Sequence, residues 1–360
     1  MILPFLVAAA FGATLGVAPD ESQAQERRVP PAASRAPHLP IEGTLPSLAG
    51  ATTWLNSQPL TPEGLRGKVV LVDFWTYTCI NWQRTQPYVR AWAERYRNQG
   101  LVVIGVHTPE FEFEKNVDNI RPALEMFRVD YPVAVDSNYA IWDAFGNRYW
   151  PAVYVVDANG KIRHHQFGEG EYERTEAVIQ QLLREAGYSG KGNDAVRVDA
   201  HGSEVAADWD NLRSQENYLG HNRTEGFASP GSAVVGKSRN YGVPQSLMLN
   251  HWALGGDWTV NPGAIALDKG GGRIAYRFHA RDLHLVMGPS SRGASIRFRV
   301  LLDGRPPGNA HGTDVDEQGY GTISGQRLYQ LVRQPTPIAD RVFEIEFLDP
   351  GVEAYAFTFG

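Results

Sequence analysis

The chain has 360 residues, enough for two ordinary domains, with 34 Lys and Arg against 40 Asp and Glu for a formal net charge of -6. No basic field exists for a phosphate backbone and no Lys/Arg cluster is interleaved with aromatics, so nucleic acid is not an expected partner. The single cysteine, Cys79, excludes any disulfide within the chain, and the fold must be held by its cores alone.

Residues 1–24 open with the apolar, uncharged run "MILPFLVAAAFGATLGVAP" and close on Ser22-Gln23-Ala24, a small-x-small pattern. The pattern predicts a signal peptide and an extracytoplasmic, periplasmic location. The alternative is a retained N-terminal anchor, because no basic residue precedes the run and it is nearly long enough to span a bilayer. Residues 25–40, rich in Pro, Ala and Arg, read as an extended linker.

Beyond Ile41 the pattern turns globular. "KVVLVDFW" (68–75) is a buried strand, 85–97 an amphipathic helix with Pro87 in its first turn, and "GLVVIGVH" (100–107) a second buried strand. A helix is expected over 115–129, a strand over 131–136, and a short helix over 138–146 closed by Gly146. A hairpin over 151–168 turns at Asp-Ala-Asn-Gly, and a helix over 174–187 ends at Gly187. This alternation predicts an α/β domain around one sheet, over residues 41–188.

Residues 189–210 form a Gly- and Asp-rich linker. From 211 to 360 the period falls to two: Ile274, Tyr276 and Phe278 share a face, as do Ile296, Phe298 and Val300, then Phe343, Ile345 and Phe347. An antiparallel, jelly-roll-like β-sandwich follows. Its Tyr218, Trp252, Trp258 and Tyr320 lie in polar, Gly-rich surroundings suited to stacking on a sugar, with Asn250 or Asp257 supplying hydrogen bonds, although core packing is the ordinary role of such rings.

Cys79 follows a strand and a polar turn and directly precedes a helix. Unsatisfied backbone N–H groups and the helix dipole there favour a thiolate, so a reactive thiol is one reading and an inert core cysteine the other. Thr76 completes a T-x-x-C pattern, yet Val72 stands where a peroxiredoxin has proline; a one-cysteine peroxidase is therefore a third possibility. Metal signals are poor. His164 and His165 are adjacent on a strand and face opposite ways, and the segment 314–319 starts like a calcium loop but has Gly325 at the twelfth position. No metal or cofactor is expected.

"WTYTCIN", "RTQPYV", "GVHTPEFEFEKN", "YPVAVDSNYAIWDAFGNRYWPAVYVVDANGKI" and "HHQFGEGEYERTE" resemble the periplasmic thioredoxin-like domain of DipZ-type thiol-disulfide proteins, within the TlpA and ResA group. Segments from "YLGHNRTEGFASP" to "FEIEFLDPGVEAYAFTFG" resemble the β-sandwich of the same proteins, which is similar to a carbohydrate-binding module. The resemblance implies a thioredoxin fold with Pro151 as a cis-proline facing Cys79 and with Glu110 in a loop beside it. It also implies a client-binding groove shaped by Trp75, Tyr77, Asn81, Trp82, Trp150 and Pro151. Where the family has a second cysteine, this chain has Trp82, which either shields the sulfur, stacks on a ligand or fills a lapsed site. Monothiol exchange with a disulfide-bearing protein or a small thiol is the leading expectation, with an external thiol needed for release. A redox-inactive binding module for a protein or glycan is the alternative, and a membrane redox partner could supply electrons.

Overall fold

A computed structural model describes residues 38–188 and 194–360. The expected signal peptide, most of the following linker and residues 189–193 lie outside the described residues. Residues Leu39–Gly360 pack as one compact unit built on two β systems.

The first is a seven-stranded mixed sheet of β1 (Gly43–Thr44), β2 (Thr53–Leu55), β3 (Val69–Trp75), β4 (Leu101–His107), β5 (Val133–Val135), β6 (Ala152–Val156) and β7 (Lys161–Phe167), in the order β1-β7-β6-β3-β4-β5-β2. Central β3 runs parallel to β4 and antiparallel to β6. Every residue of β3 is buried, and its alternation divides two cores. Val69, Leu71 and Trp75 pack with residues of α1 (Ile80–Tyr96), α2 (Val117–Met126) and α4 (Tyr172–Glu185). Val70, Val72 and Phe74 face α3 (Ala140–Phe145) and the N-terminal segment around Leu45 and Leu48.

One boundary departs from the sequence expectation. Helix α1 begins at Ile80, five residues before Thr85, so Pro87 lies inside the helix and not in its first turn. The early start follows from packing that propensity cannot see: Ile80 is buried under the second lobe and Trp82 under the sheet.

The second lobe is antiparallel throughout its strands: β8 (Asn217–Tyr218), β9 (Ser238–Tyr241), β10 (Trp252–Val260), β11 (Ile265–Leu267), β12 (Gly272–Phe278), β13 (Asp282–Pro289), β14 (Ile296–Leu302), β15 (Tyr320–Ile323), β16 (Arg327–Arg333), β17 (Arg341–Phe347) and β18 (Val352–Phe359). Residues 252–255 of β10 pair with β12, whereas 258–260 pair with β11. The strand thus turns from one face of a curled sheet to the other at Gly255-Gly256. Gly256 has φ +94, and a Cβ there would come 3.1 Å from the Gly272 Cα, which is why the bend takes glycine.

The lobes meet over the head of α1. Ile80 packs with Val286, Leu328 and Tyr355, and with half-buried Phe111 and Phe113. Arg84, 3% exposed, donates through Nη2 to the Phe359 carbonyl (3.0 Å) and through Nη1 to Glu169 (3.0 Å). The second lobe thereby covers one flank of the segment that carries the cysteine.

Candidate functional site

Strand β3 delivers the chain to Trp75, the turn 76–78 lifts it off the sheet, and Cys79 sits as the N-cap of α1 in an extended conformation, φ -73 and ψ 114. Its thiol donates a long hydrogen bond, 3.8 Å, to the Trp150 carbonyl. The Trp150–Pro151 peptide is cis, and Trp150 is fixed by a 3.0 Å bond from Nε1 to the Thr108 carbonyl. Cys79, Asn81 and Trp150 are part-exposed and stand together at the surface; Pro151 lies just beneath them.

The thiolate expectation is not met. The backbone N–H groups of Trp82 and Asn81 do favour the anion, but burial of the sulfur pushes its pKa well above the ordinary thiol value, and the nearby carboxylate of Glu110 adds to it. Desolvation outweighs the helix terminus. At neutral pH Cys79 is a neutral thiol.

Two of the expected groove residues are floor rather than wall. Trp75 and Trp82 are both fully buried, their rings stacked at 4.3 Å and 24°, with Trp82 edge-on to Phe127 at 5.2 Å. Trp82 therefore neither caps the sulfur nor offers a face to a ligand. Its indole Nε1 donates to Asp73 Oδ2 at 3.0 Å, so the side chain at the second motif position is an apolar filler tied at one point to a buried acid. Tyr77 is also buried, 3% exposed, and stacks on His107 at 5.7 Å.

Sequence reasoning missed that acid. Asp73 is fully buried; desolvation raises its pKa to about 7, partly opposed by the Trp82 hydrogen bond, and Oδ1 has no partner among the described residues. The available signal was one charge inside the apolar run "VVLVDFW". Glu114 is also buried: Thr78 Oγ1 donates to it at 2.6 Å, and the Glu110 and Phe111 N–H groups donate to its other oxygen at 2.7 and 2.9 Å. Burial pushes Glu114 up to about 7. Neighbouring His107, enclosed and neutral, is driven down to about 3.

Glu110 lies at the lobe junction. The Tyr218 hydroxyl stands between Glu110 Oε1 and Glu216 Oε2, the latter at 3.0 Å, and the Arg223 guanidinium covers the Tyr218 ring, 3.2 Å from its centroid. One hydroxyl proton cannot serve two carboxylates. The Glu216 carboxyl is pushed up to about 7, by desolvation first and by the neighbouring Glu110 second.

The four aromatic rings assigned to ligand stacking in the second lobe do not form a site. Trp252 and Trp258, 1% and 0% exposed, belong to its core because β10 points them between the two faces of the curled sheet. Tyr218 is engaged at the lobe junction. Tyr320 alone is open, 47% exposed beneath the Arg299 guanidinium.

A cysteine heading the helix that follows the central strand, opposite a cis-proline, defines a thioredoxin-type site. Residues 40–183 match the Redoxin family and residues 214–360 match the family described as thioredoxin like C-terminal domain. Protein DipZ of Mycobacterium bovis is 34% identical over 342 residues, 94% of this chain and 46% of DipZ. Thiol-disulfide oxidoreductase YkuV of Bacillus subtilis is 32% identical over 147 residues, 41% of this chain and 99% of YkuV. A thioredoxin-like protein solved in its oxidised form shares 33% identity, with a TM-score of 0.38, 40% of this chain and 97% of that one being covered. The chain belongs to the thioredoxin-like thiol-disulfide oxidoreductases, in the DipZ-type group that joins a redoxin domain to this C-terminal domain. It spans about half the length of the DipZ proteins it matches.

Proposed function

We propose that the protein performs monothiol exchange at Cys79, outside the cytoplasm, on a disulfide-bearing protein or a small disulfide. The observation that supports this reading most directly is the half-buried Cys79 at the head of α1, its thiol beside the carbonyl of the cis Trp150–Pro151 peptide, with the second motif position closed by a buried indole. In the first step Cys79 loses its proton and the thiolate attacks a disulfide: one S–S bond breaks, the Cys79 mixed disulfide forms, and the departing sulfur takes up a proton. With no second cysteine in the chain, an external thiol must attack that adduct, restoring the Cys79 thiol and carrying the bound sulfur away as a new disulfide. A redox partner at a membrane would be one source of such a thiol.

A redox-inactive binding module is the second reading, favoured by one observation: burial keeps the thiol neutral. The same raised pKa slows both thiolate reactions at neutral pH, disulfide exchange and peroxide reduction alike. Intact mass after incubation with oxidised glutathione between pH 7 and 9 separates these readings. The expected result is one glutathione adduct, absent in Cys79→Ser and removed by added reduced glutathione. Failure to form any adduct across this range would leave the binding module; sulfenic acid with peroxide but no adduct would leave the peroxidase.

A further inference from the structure

The two lobes leave between them a cleft of about 1080 Å³ that the Cys79 chemistry does not use. Helix α2 lines one side with Pro122 and Met126, and Asn119 of the same helix donates through Nδ2 to Gln326 Oε1 on the other side at 3.2 Å. Tied between its walls, the space is bounded as a small ligand requires, and its volume lies near the upper end of the range of about 300–1,000 Å³ typical of small-molecule sites. Two polar atoms at its floor are unmet. Gln83, 2% exposed, donates through Nε2 to the Tyr77 carbonyl at 2.8 Å, while its buried Oε1 has no partner among the described residues. The buried Tyr77 hydroxyl is turned towards Asn119, but the Asn119 amide is engaged by the Phe113 carbonyl at 2.9 Å and by Gln326, and the hydroxyl makes no hydrogen bond of ordinary length among the described residues.

The charges of the cleft do not balance. Each carboxylate lining it has a cation: Asp118 has Arg292 at 2.7 Å, Asp314 has Arg327, and Glu204 has Arg90 at 3.1 Å. The lining His201 faces Asp199 at 3.1 Å. Arg128, which also lines the cleft and is exposed, has no carboxylate partner among the described residues, so the surplus is one positive charge. Arg128 and Gln83 stand along the same helix. Gln86, three residues or about 4.5 Å beyond Gln83 on α1, donates to the carbonyl of Phe127, the neighbour of Arg128, at 3.3 Å.

We propose that this cleft binds a small organic monoanion of the hydroxycarboxylate class, its carboxylate against the Arg128 guanidinium and a hydroxyl donated to Gln83 Oε1. A guanidinium presents a fork of donors that a carboxylate matches, and a buried amide oxygen left without a donor favours any ligand that brings one. An ammonium donor would set a second cation beside Arg128, so a hydroxyl suits the site better. The Gln83 N–H also donates to the Cys79 carbonyl at 3.0 Å, so the ligand is read by the residue that holds the cysteine turn from behind.

The test is independent of the proposed exchange reaction. The full chain is titrated calorimetrically with three six-carbon compounds: D-gluconate, which has a carboxylate and hydroxyls, sorbitol, which has the hydroxyls alone, and hexanoate, which has the carboxylate alone. Expected is one gluconate per chain, bound at least tenfold more tightly than either of the others and equally well by Cys79→Ser. Arg128→Gln is expected to bring gluconate down to the affinity of sorbitol, and Met126→Trp, which fills the cleft, to weaken gluconate at least tenfold. Arg128 is exposed and Met126 is 56% exposed, so neither change enters a packed core. Absent gluconate binding, or hexanoate or sorbitol binding as tightly as gluconate, overturns the proposal. So does undiminished gluconate binding by the correctly folded Met126→Trp, which places the ligand outside the cleft.

Discussion

Asp73→Asn provides a direct measure of what the buried acid beneath Cys79 does to the fold. In the folded protein Asp73 titrates at about 7, against 3.8 for an unperturbed aspartate. Well below pH 3.8 it is protonated in both states and imposes no penalty. As pH rises from 4 to 7 the unfolded chain ionises first and binds fewer protons than the folded one, so stability falls. The two values lie about three pH units apart, and at about 1.4 kcal/mol per unit the loss between pH 4 and pH 7 comes to about 4 kcal/mol. Asparagine keeps an oxygen for the Trp82 indole and carries no charge. Urea unfolding of wild type and Asp73→Asn from pH 4 to 8, each read by tryptophan fluorescence and far-UV dichroism, isolates the contribution. Expected is that Asp73→Asn removes about 4 kcal/mol of the decline between pH 4 and 7, with Glu114, also pushed up to about 7, keeping some slope in both proteins. Parallel curves for the two proteins would refute the account of Asp73 as a desolvated acid held neutral.

Two further outcomes follow from the site geometry. Because burial and Glu110 both oppose the anion, alkylation of Cys79 by iodoacetamide should be slower than that of a free thiol at pH 7. It should keep rising beyond pH 9, and Glu110→Gln, which retains the hydrogen bond to Tyr218, should speed it several-fold at pH 8; a plateau below pH 8 would contradict this. Arg84→Ala strips a buried ion pair of its cation, leaving Glu169, 9% exposed, without compensation, and should cost about 3–5 kcal/mol in urea unfolding; a loss under about 1 kcal/mol would show that the contact contributes little.

Legibility in the sequence followed the range of the interactions. Strand β3, the helices and the Asp-Ala-Asn-Gly hairpin could be read from periodicity and turn residues, because those signals act over a few positions. The start of α1 could not: Ile80 becomes helical under Val286, Leu328 and Tyr355, more than 200 residues away in the chain. The chemistry of the thiol was misread for the same reason. A helix terminus is visible locally, whereas the burial that overrides it comes from packing, and the Glu110 and Glu216 charges meet only when the lobes do. Trp252 and Trp258 look like exposed rings because Gly255 and Gly256 sit beside them, yet those glycines mark a strand that changes faces, not a loop. Asp73 shows the converse. A lone charge in a buried strand was there to be read, and its partner, the indole nine residues on, gives it a role only in three dimensions.

The bond from Arg84 to the Phe359 carbonyl joins positions 275 residues apart. At translation rates of about 5–20 residues per second, the guanidinium emerges roughly 15–55 seconds before its acceptor. Over that interval Ile80 at the head of α1 stands without Val286, Leu328 and Tyr355, the residues that bury it in the finished chain, so the first domain carries an uncovered apolar patch until the second lobe is complete.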